Sequence, residues 1–190
     1  MSIKIGVIAE NDSDVEVVKA LIGKITNTKF GIYKVLAKSS GNITTKCIRW
    51  IKYLVDIKDS NIVLIVRDSD TGDYKKVNEI RSELEAKAIA AQQKRKVSII
   101  IPVQEIEAWL LADEKAIGGT FSSIAIKPYL HPETIPNPKE EIVRQTKGTN
   151  SKSPYSNKTH NKLIAEKLDL DKVYKKCPSF APFYDVVSSL

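Results

Sequence analysis

The tightest constraint on the fold is the segment at residues 61–66, NIVLIV, apolar without a break from Ile62, which ends abruptly on Arg67-Asp68-Ser69-Asp70-Thr71-Gly72. A strand apolar at every position must have both faces covered, which is the situation of a parallel strand sandwiched between helices. The surrounding chain repeats that unit. Residues 3–9, IKIGVIA, form a β-branched run that stops at Glu10-Asn11-Asp12-Ser13. A helical stripe follows, Val15, Val18, Leu21, Ile22 and Ile25, with Ser13 and Glu16 spaced as a capping box. Residues 30–37 read as a second strand. Ile43, Cys47, Ile48, Ile51, Leu54 and Val55 then mark a second helix. A third helix carries Tyr74, Val77, Ile80, Leu84, Ala88 and Ala91 and ends in Lys94-Arg95-Lys96, cations suited to a helix C-terminus. Residues 97–103 give a fourth strand, and QEIEAWLLAD at 104–113 begins another helix.

Strand and helix alternating four times predict an α/β fold, a mostly parallel sheet of about four strands flanked by helices, with right-handed crossovers. That core spans residues 1–117. Residues 118–190 form a helical appendage packed on it, punctuated by Pro128, Pro132, Pro136 and Pro138, with helical patterns starting near Pro138, Asn157 and Pro178 and a polar loop at 148–154. The N-terminal apolar stretch is too short for a secretory signal or a membrane span, so no membrane partner is expected. Two isolated cysteines, Cys47 and Cys177, predict neither a disulfide framework nor a zinc cluster, and a cytoplasmic location follows.

Ligands of open parallel sheets bind beyond the carboxyl ends of the strands, and acidic residues collect there. Strand one ends at Glu10, with Asp12 and Asp14 beyond it. Strand three ends at Asp68 and Asp70, and strand four leads to Glu105 and Glu107. Asp68 and Asp70, two apart in extended chain, can face one ligand, and a hard cation with a preference for oxygen relieves their repulsion. The bland reading makes these residues helix caps, and it suits Asp12. Asp14 reads equally as a dipole-stabilising residue or as a ligand facing Glu10 four residues back. Were the segment at 104–113 already helical, Glu105 and Glu107 would diverge by about 200°, so one should face the site and the other solvent. Glu107 is the one assigned to the site. Trp109 and Leu110 are assigned to the core.

Strand–Glu10, strand–Gly41 and strand–Asp68-Ser69-Asp70, in that order, resemble the Toprim fold shared by topoisomerases, primases and the overcoming-lysogenization-defect (OLD) nucleases. Glu10 with Asp14 looks like the first OLD-type motif, although Asn11 stands where a glycine is common. Glu105-Ile106-Glu107-Ala108-Trp109 within QEIEAWLLAD, with Ser179, Phe180 and Phe183, is similar to a bacterial Toprim-like branch often associated with ATPases and phage defence. The resemblance implies Mg²⁺ or Mn²⁺, one or two ions, held by Glu10, Asp14, Asp68, Asp70 and Glu107. It implies phosphodiester hydrolysis of nucleic acid, with Glu10, Asp68 and Asp70 catalytic and an AAA or ABC-type ATPase partner in trans. Lys38, Lys46 and Arg67 are the candidates for stabilising transition-state charge.

Other readings stay open. Asp68-Ser69-Asp70-Thr71 matches the DxDxT of haloacid-dehalogenase-like phosphatases, but the later lysine and paired acidic motif of that class are absent. A DxD glycosyltransferase has less support, and a Toprim-like binding module without catalysis is the non-enzymatic alternative. No GxGxxG after a strand, Walker lysine motif or GxSxG elbow occurs. Lys147, Lys152, Lys158 and Lys162, interleaved with Tyr155 and His160, are the candidate nucleic-acid contacts. His131 and His160 read as surface or loop residues. The net charge of +7 divides into +4 over residues 1–59, −1 over 60–126 and +4 over 127–190, an acidic middle between basic flanks.

Overall fold

The computed structural model describes residues 2–121, 124–147 and 153–190. Four parallel strands, β1 (Ile3–Ala9), β2 (Phe30–Leu36), β3 (Ile62–Val66) and β4 (Val97–Ile100), lie in the order β2-β1-β3-β4. The crossovers are α1 (Asp12–Ile25), α2 (Ser40–Lys52), which runs on as a π-helical turn at Tyr53–Ile57, and α3 (Tyr74–Ala90). Alternation along each strand divides the core. Ile5, Val7, Leu64, Val66 and Ile100 pack with α1 and the C-terminal helices, while Ile8, Val63, Ile65, Ile99 and Ile101 pack with α2 and α3. β2 is the half-exposed edge.

After β4 come α4 (Glu107–Leu111), α5 (Glu114–Thr120), α6 (Pro138–Thr146), α7 (Asn157–Lys167), α8 (Leu170–Lys176) and α9 (Ala181–Ser188). These helices share the α1 face of the sheet, and α7 packs along α1. Trp109 anchors the arrangement. Fully buried, it meets Phe180 edge-on at 5.1 Å and Phe183 at 5.8 Å, and its Nε1–H donates to Ser179 Oγ at 2.8 Å. The expected core role of Trp109 and Leu110 holds, and Cys47 and Cys177 are free and buried. Among the described residues, no helix is long and apolar enough to cross a membrane.

Several local expectations need correction. The first helix is capped by Asn11, whose side chain accepts from the Asp14 N–H while Asp14 answers to the Asn11 N–H; Ser13 is inside the helix. The chain leaves β1 in a turn of two residues, so the N-x-x-D pair reaches the cap position before S-x-x-E does. Asp12 is likewise helical and pairs with Lys34 at 2.5 Å. Lys94–Lys96 form a separate 3-10 turn after α3 has ended at Ala90. β4 stops at Ile100 because Pro102 has no N–H to continue a ladder. Among the described residues the carboxyl-terminal helices number four rather than three from Pro138 onward, since Leu170–Lys176 separates as its own helix capped by Asp169. Most of the expected polar loop, 148–152, lies outside the described residues.

Candidate metal centre

Strand order reverses between β1 and β3: the chain leaves β1 towards β2 and returns to β1's other side to make β3. The connections after these neighbouring strands diverge, opening a crevice at their carboxyl ends. A cleft of about 170 Å³ occupies it, walled by Glu10, Asp14, Asp68, Asp70, Glu105 and Glu107, with Lys139, Asn11 and Asn157 completing the lining. All five predicted metal-site residues therefore come together.

Each carboxylate is fixed by local structure. Asp14 sits in the first turn of α1, 6% exposed, locked by the Asn11 capping box. The Asp68–Asp70 segment is held by backbone bonds that prolong the β3–β4 pairing: Arg67 N donates to Ile100 O, Ser69 N to Pro102 O and Asp70 N to Gln104 O. Asp68 Oδ1 accepts from Ile106 N at 3.0 Å, tying strand three to the start of α4. Asp70 and Gln104 face each other with left-handed φ of 53° and 65°, conformations that non-glycine residues adopt at a cost of about 1–3 kcal/mol. With its amide oriented to satisfy both neighbours, Gln104 accepts from Gly72 N and donates to Pro136 O. A Cβ at Gly72 would come within 2.9 Å of that amide, so a larger residue there would push the Gln104 side chain from this position.

The expected divergence of Glu105 and Glu107 does not occur; both line the cleft. Regular helix begins only at Glu107, so Glu105 belongs to a turn to which a rotation of 100° per residue does not apply. Glu105 Oε2 accepts from Lys139 N at 3.0 Å, at the start of α6. Glu107, 4% exposed, receives Asn161 Nδ2 on Oε1 at 2.9 Å.

None of the six carboxylates forms an ion pair among the described residues. Their electrostatics show the consequence. Burial first, then Glu107, raises the Asp14 carboxyl to about 7, against the opposing hydrogen bonds from Asn11. Burial, followed by Asp14, Glu107, Asp70 and Glu105, pushes Asp68 well above the carboxylate range. Glu107 is raised by burial and held down in part by Asn161. Glu10 is raised by burial and by Asp70, while Arg67 and the Ser40 N–H oppose the shift. Buried like charges without a counter-ion are costly, and a divalent cation offsets them.

The donor set is all oxygen, which fits Mg²⁺ or Mn²⁺. Among the described residues, no three or more His, Cys, Asp or Glu side chains converge into a ready-made cage, so the carboxylates line a cleft instead of closing a coordination sphere. Mg²⁺ needs no such cage, because it retains several waters and takes only one or two carboxylates directly.

The cationic candidates separate. Lys38 and Lys46 are exposed, whereas Arg67 lies near enough to Glu10 to lower its pKa and has Nε and Nη1 buried without a hydrogen-bond partner. Lys139 lines the cleft, and nothing in the sequence marks it beyond its place after Pro138. Of the predicted nucleic-acid contacts, Lys158 lines a neighbouring groove of about 440 Å³ that shares Asn11 and Asn157 with the cleft. Lys147 is exposed and Lys162 is engaged by Glu16 at 3.2 Å; Lys152 lies outside the described residues. Tyr155 is not a stacking surface: it is 8% exposed, and its hydroxyl donates to Asn161 Oδ1 at 2.6 Å. His160 is half-buried against Phe121 at 4.8 Å, and His131 is exposed.

No curated protein and no solved structure matches the chain. A family model described as "Domain of unknown function (DUF4276)" matches residues 9–188, which takes in every wall of the cleft. The chain belongs to the DUF4276 family.

Proposed function

We propose that this protein is a nuclease of Toprim type that hydrolyses phosphodiester bonds in nucleic acid with one or two Mg²⁺ or Mn²⁺ ions. The observation that carries the reading is the delivery, by three separate strand ends, of six carboxylates, none ion-paired among the described residues, into one cleft. A divalent ion bound there supplies Lewis-acid stabilisation of phosphoryl oxygens and lowers the pKa of a coordinated water. Asp14, Asp68, Asp70 and Glu107 are the ligands. Glu10, half-buried and flanked by Arg67 and the Ser40 N–H, serves as a further ligand or as the general acid/base. Lys139 supplies the positive charge that meets the phosphate, and Lys158 lies along the continuing groove.

A haloacid-dehalogenase-like phosphatase reading accounts for Asp68 and Asp70 and leaves Glu10, Asp14, Glu105 and Glu107 without a part. Work in the cytoplasm with a separate AAA or ABC-type ATPase, in phage defence, belongs to the same proposal through the Toprim-like resemblance. The test is Mn²⁺-dependent cleavage of plasmid, single-stranded DNA and tRNA by wild type and by Asp68→Asn. Asparagine keeps the acceptor for Ile106 N while removing the charge. Cleavage by the wild type alone supports the reading; equal cleavage by both proteins, or none by either, overturns it.

A further inference from the structure

Glu107 is 54 residues from Asn161 of α7 in sequence, yet its carboxylate is held from there. Asn161, with no exposed surface, donates Nδ2–H to Glu107 Oε1 at 2.9 Å. Tyr155 donates its hydroxyl to Asn161 Oδ1 at 2.6 Å and lies 3.5 Å from the same Glu107 oxygen. The orientation of the Asn161 amide is fixed by chemistry. An ionised carboxylate only accepts, so the NH₂ end must face Glu107, and the carbonyl end then receives the tyrosine proton. Oε1 is thereby engaged from α7 while the Glu107 side chain lines the cleft.

This is a costly arrangement for structure alone. Three polar groups are buried together at a helix-packing surface where apolar residues of similar volume would do as well. Asn161 lies beside Ile164 and Ala165 in the buried stripe of α7. Its partner is a carboxylate with no cation within ion-pair distance among the described residues, in a cleft where Asp14, also buried, is in the same position. The network acquires a purpose if Glu107 must be presented in one orientation.

We propose that Asn161, seated by Tyr155, is a positioning residue that holds Glu107 with one oxygen turned to a divalent cation in the cleft. The C-terminal helices are then part of the metal centre, and α7 supplies its second layer. This inference rests on the metal-centre reading and adds to it a dependence on residues that touch neither ion nor substrate.

The experiment is Mn²⁺ titration calorimetry on the full chain, with thermal unfolding in EDTA measured on each protein. Outer-layer partners of metal ligands change affinity by about 10- to 100-fold, and a loss in that range is expected for Asn161→Leu. Tyr155→Phe keeps the ring and the asparagine, and it should weaken binding several-fold; it carries the test if Asn161→Leu does not fold. In a Glu107→Gln background, adding Asn161→Leu should cause no further loss, because the two act through one oxygen. Absence of Mn²⁺ binding by the wild type overturns the metal centre itself. Wild-type binding that survives undiminished in folded Asn161→Leu or Tyr155→Phe, or losses that simply add with Glu107→Gln, overturns the positioning role alone.

Discussion

Metal-free protein should lose stability as the pH rises from 5 to 8, and Asp14→Asn should reduce that loss by the share that Asp14 contributes. In the unfolded chain Asp14 ionises near 3.8, whereas in the folded cleft burial and Glu107 hold its carboxyl at about 7. Between those values the native state keeps a proton that the unfolded chain has released. Asp14's contribution therefore falls with pH through this window and levels off above about 7. From pH 5 to 7 the difference is about two units at about 1.4 kcal/mol each, on the order of 3 kcal/mol. For a chain of this length each kcal/mol moves Tm by about 2–4 °C, giving a fall of roughly 6–12 °C. Asp68 and Glu107, both raised, act in the same direction. Asparagine at position 14 keeps an acceptor for the Asn11 N–H and removes the charge, so the variant should have the higher Tm at pH 8 and a flatter profile. Scanning calorimetry in EDTA reads both, and Mn²⁺ at pH 8 should restore Tm more in the wild type than in Asp14→Asn. A wild-type Tm that is constant or rising over this range, or an Asp14→Asn protein less stable than wild type at pH 8, refutes the reasoning.

Lys139→Met keeps the side-chain length and the backbone bond to Glu105 while removing the cleft's lysine charge; cleavage should fall by about 10- to 100-fold, the worth of one charge-assisted hydrogen bond, in steady-state assays. Trp109→Ala empties a site shared by Phe180, Phe183 and the Ser179 hydroxyl and should cost about 3–5 kcal/mol in urea unfolding. That loss should carry Mn²⁺ affinity with it, because Phe183 of α9, with Ser179 and Phe180 just before that helix, docks on the indole and α7 packs against the same helix α4.

The sheet was legible because its signals are local. NIVLIV demands cover on both faces, IKIGVIA ends on acidic residues, and the two runs prove to be neighbours at the point where strand order reverses. Glu10, Asp14, Asp68 and Asp70 inherited their placement from those strand ends. Glu105 was assigned away from the cleft because its place depends on where α4 begins, and that is set by Asp68 Oδ1 accepting from Ile106 N, a contact across 38 residues. Lys139 and Asn161 were illegible for the same reason at longer range. Each enters through the docking of a C-terminal helix, and neither sits in a periodic or motif pattern that marks it. Tyr155 shows the converse error, since an aromatic ring among lysines on paper looks like a nucleic-acid surface, whereas burial gives it to Asn161 and Glu107.

The central claim is a divalent-metal centre beyond the ends of β1, β3 and β4. Crystals grown with Mn²⁺ test it most directly, by an anomalous difference map recorded above the manganese edge. The account predicts one or two peaks within coordination distance of Asp68 and Asp70, bounded by Glu10, Asp14 and Glu107, and no such peak in Asp68→Asn. A map with no manganese in the cleft, or manganese bound equally by Asp68→Asn, contradicts it.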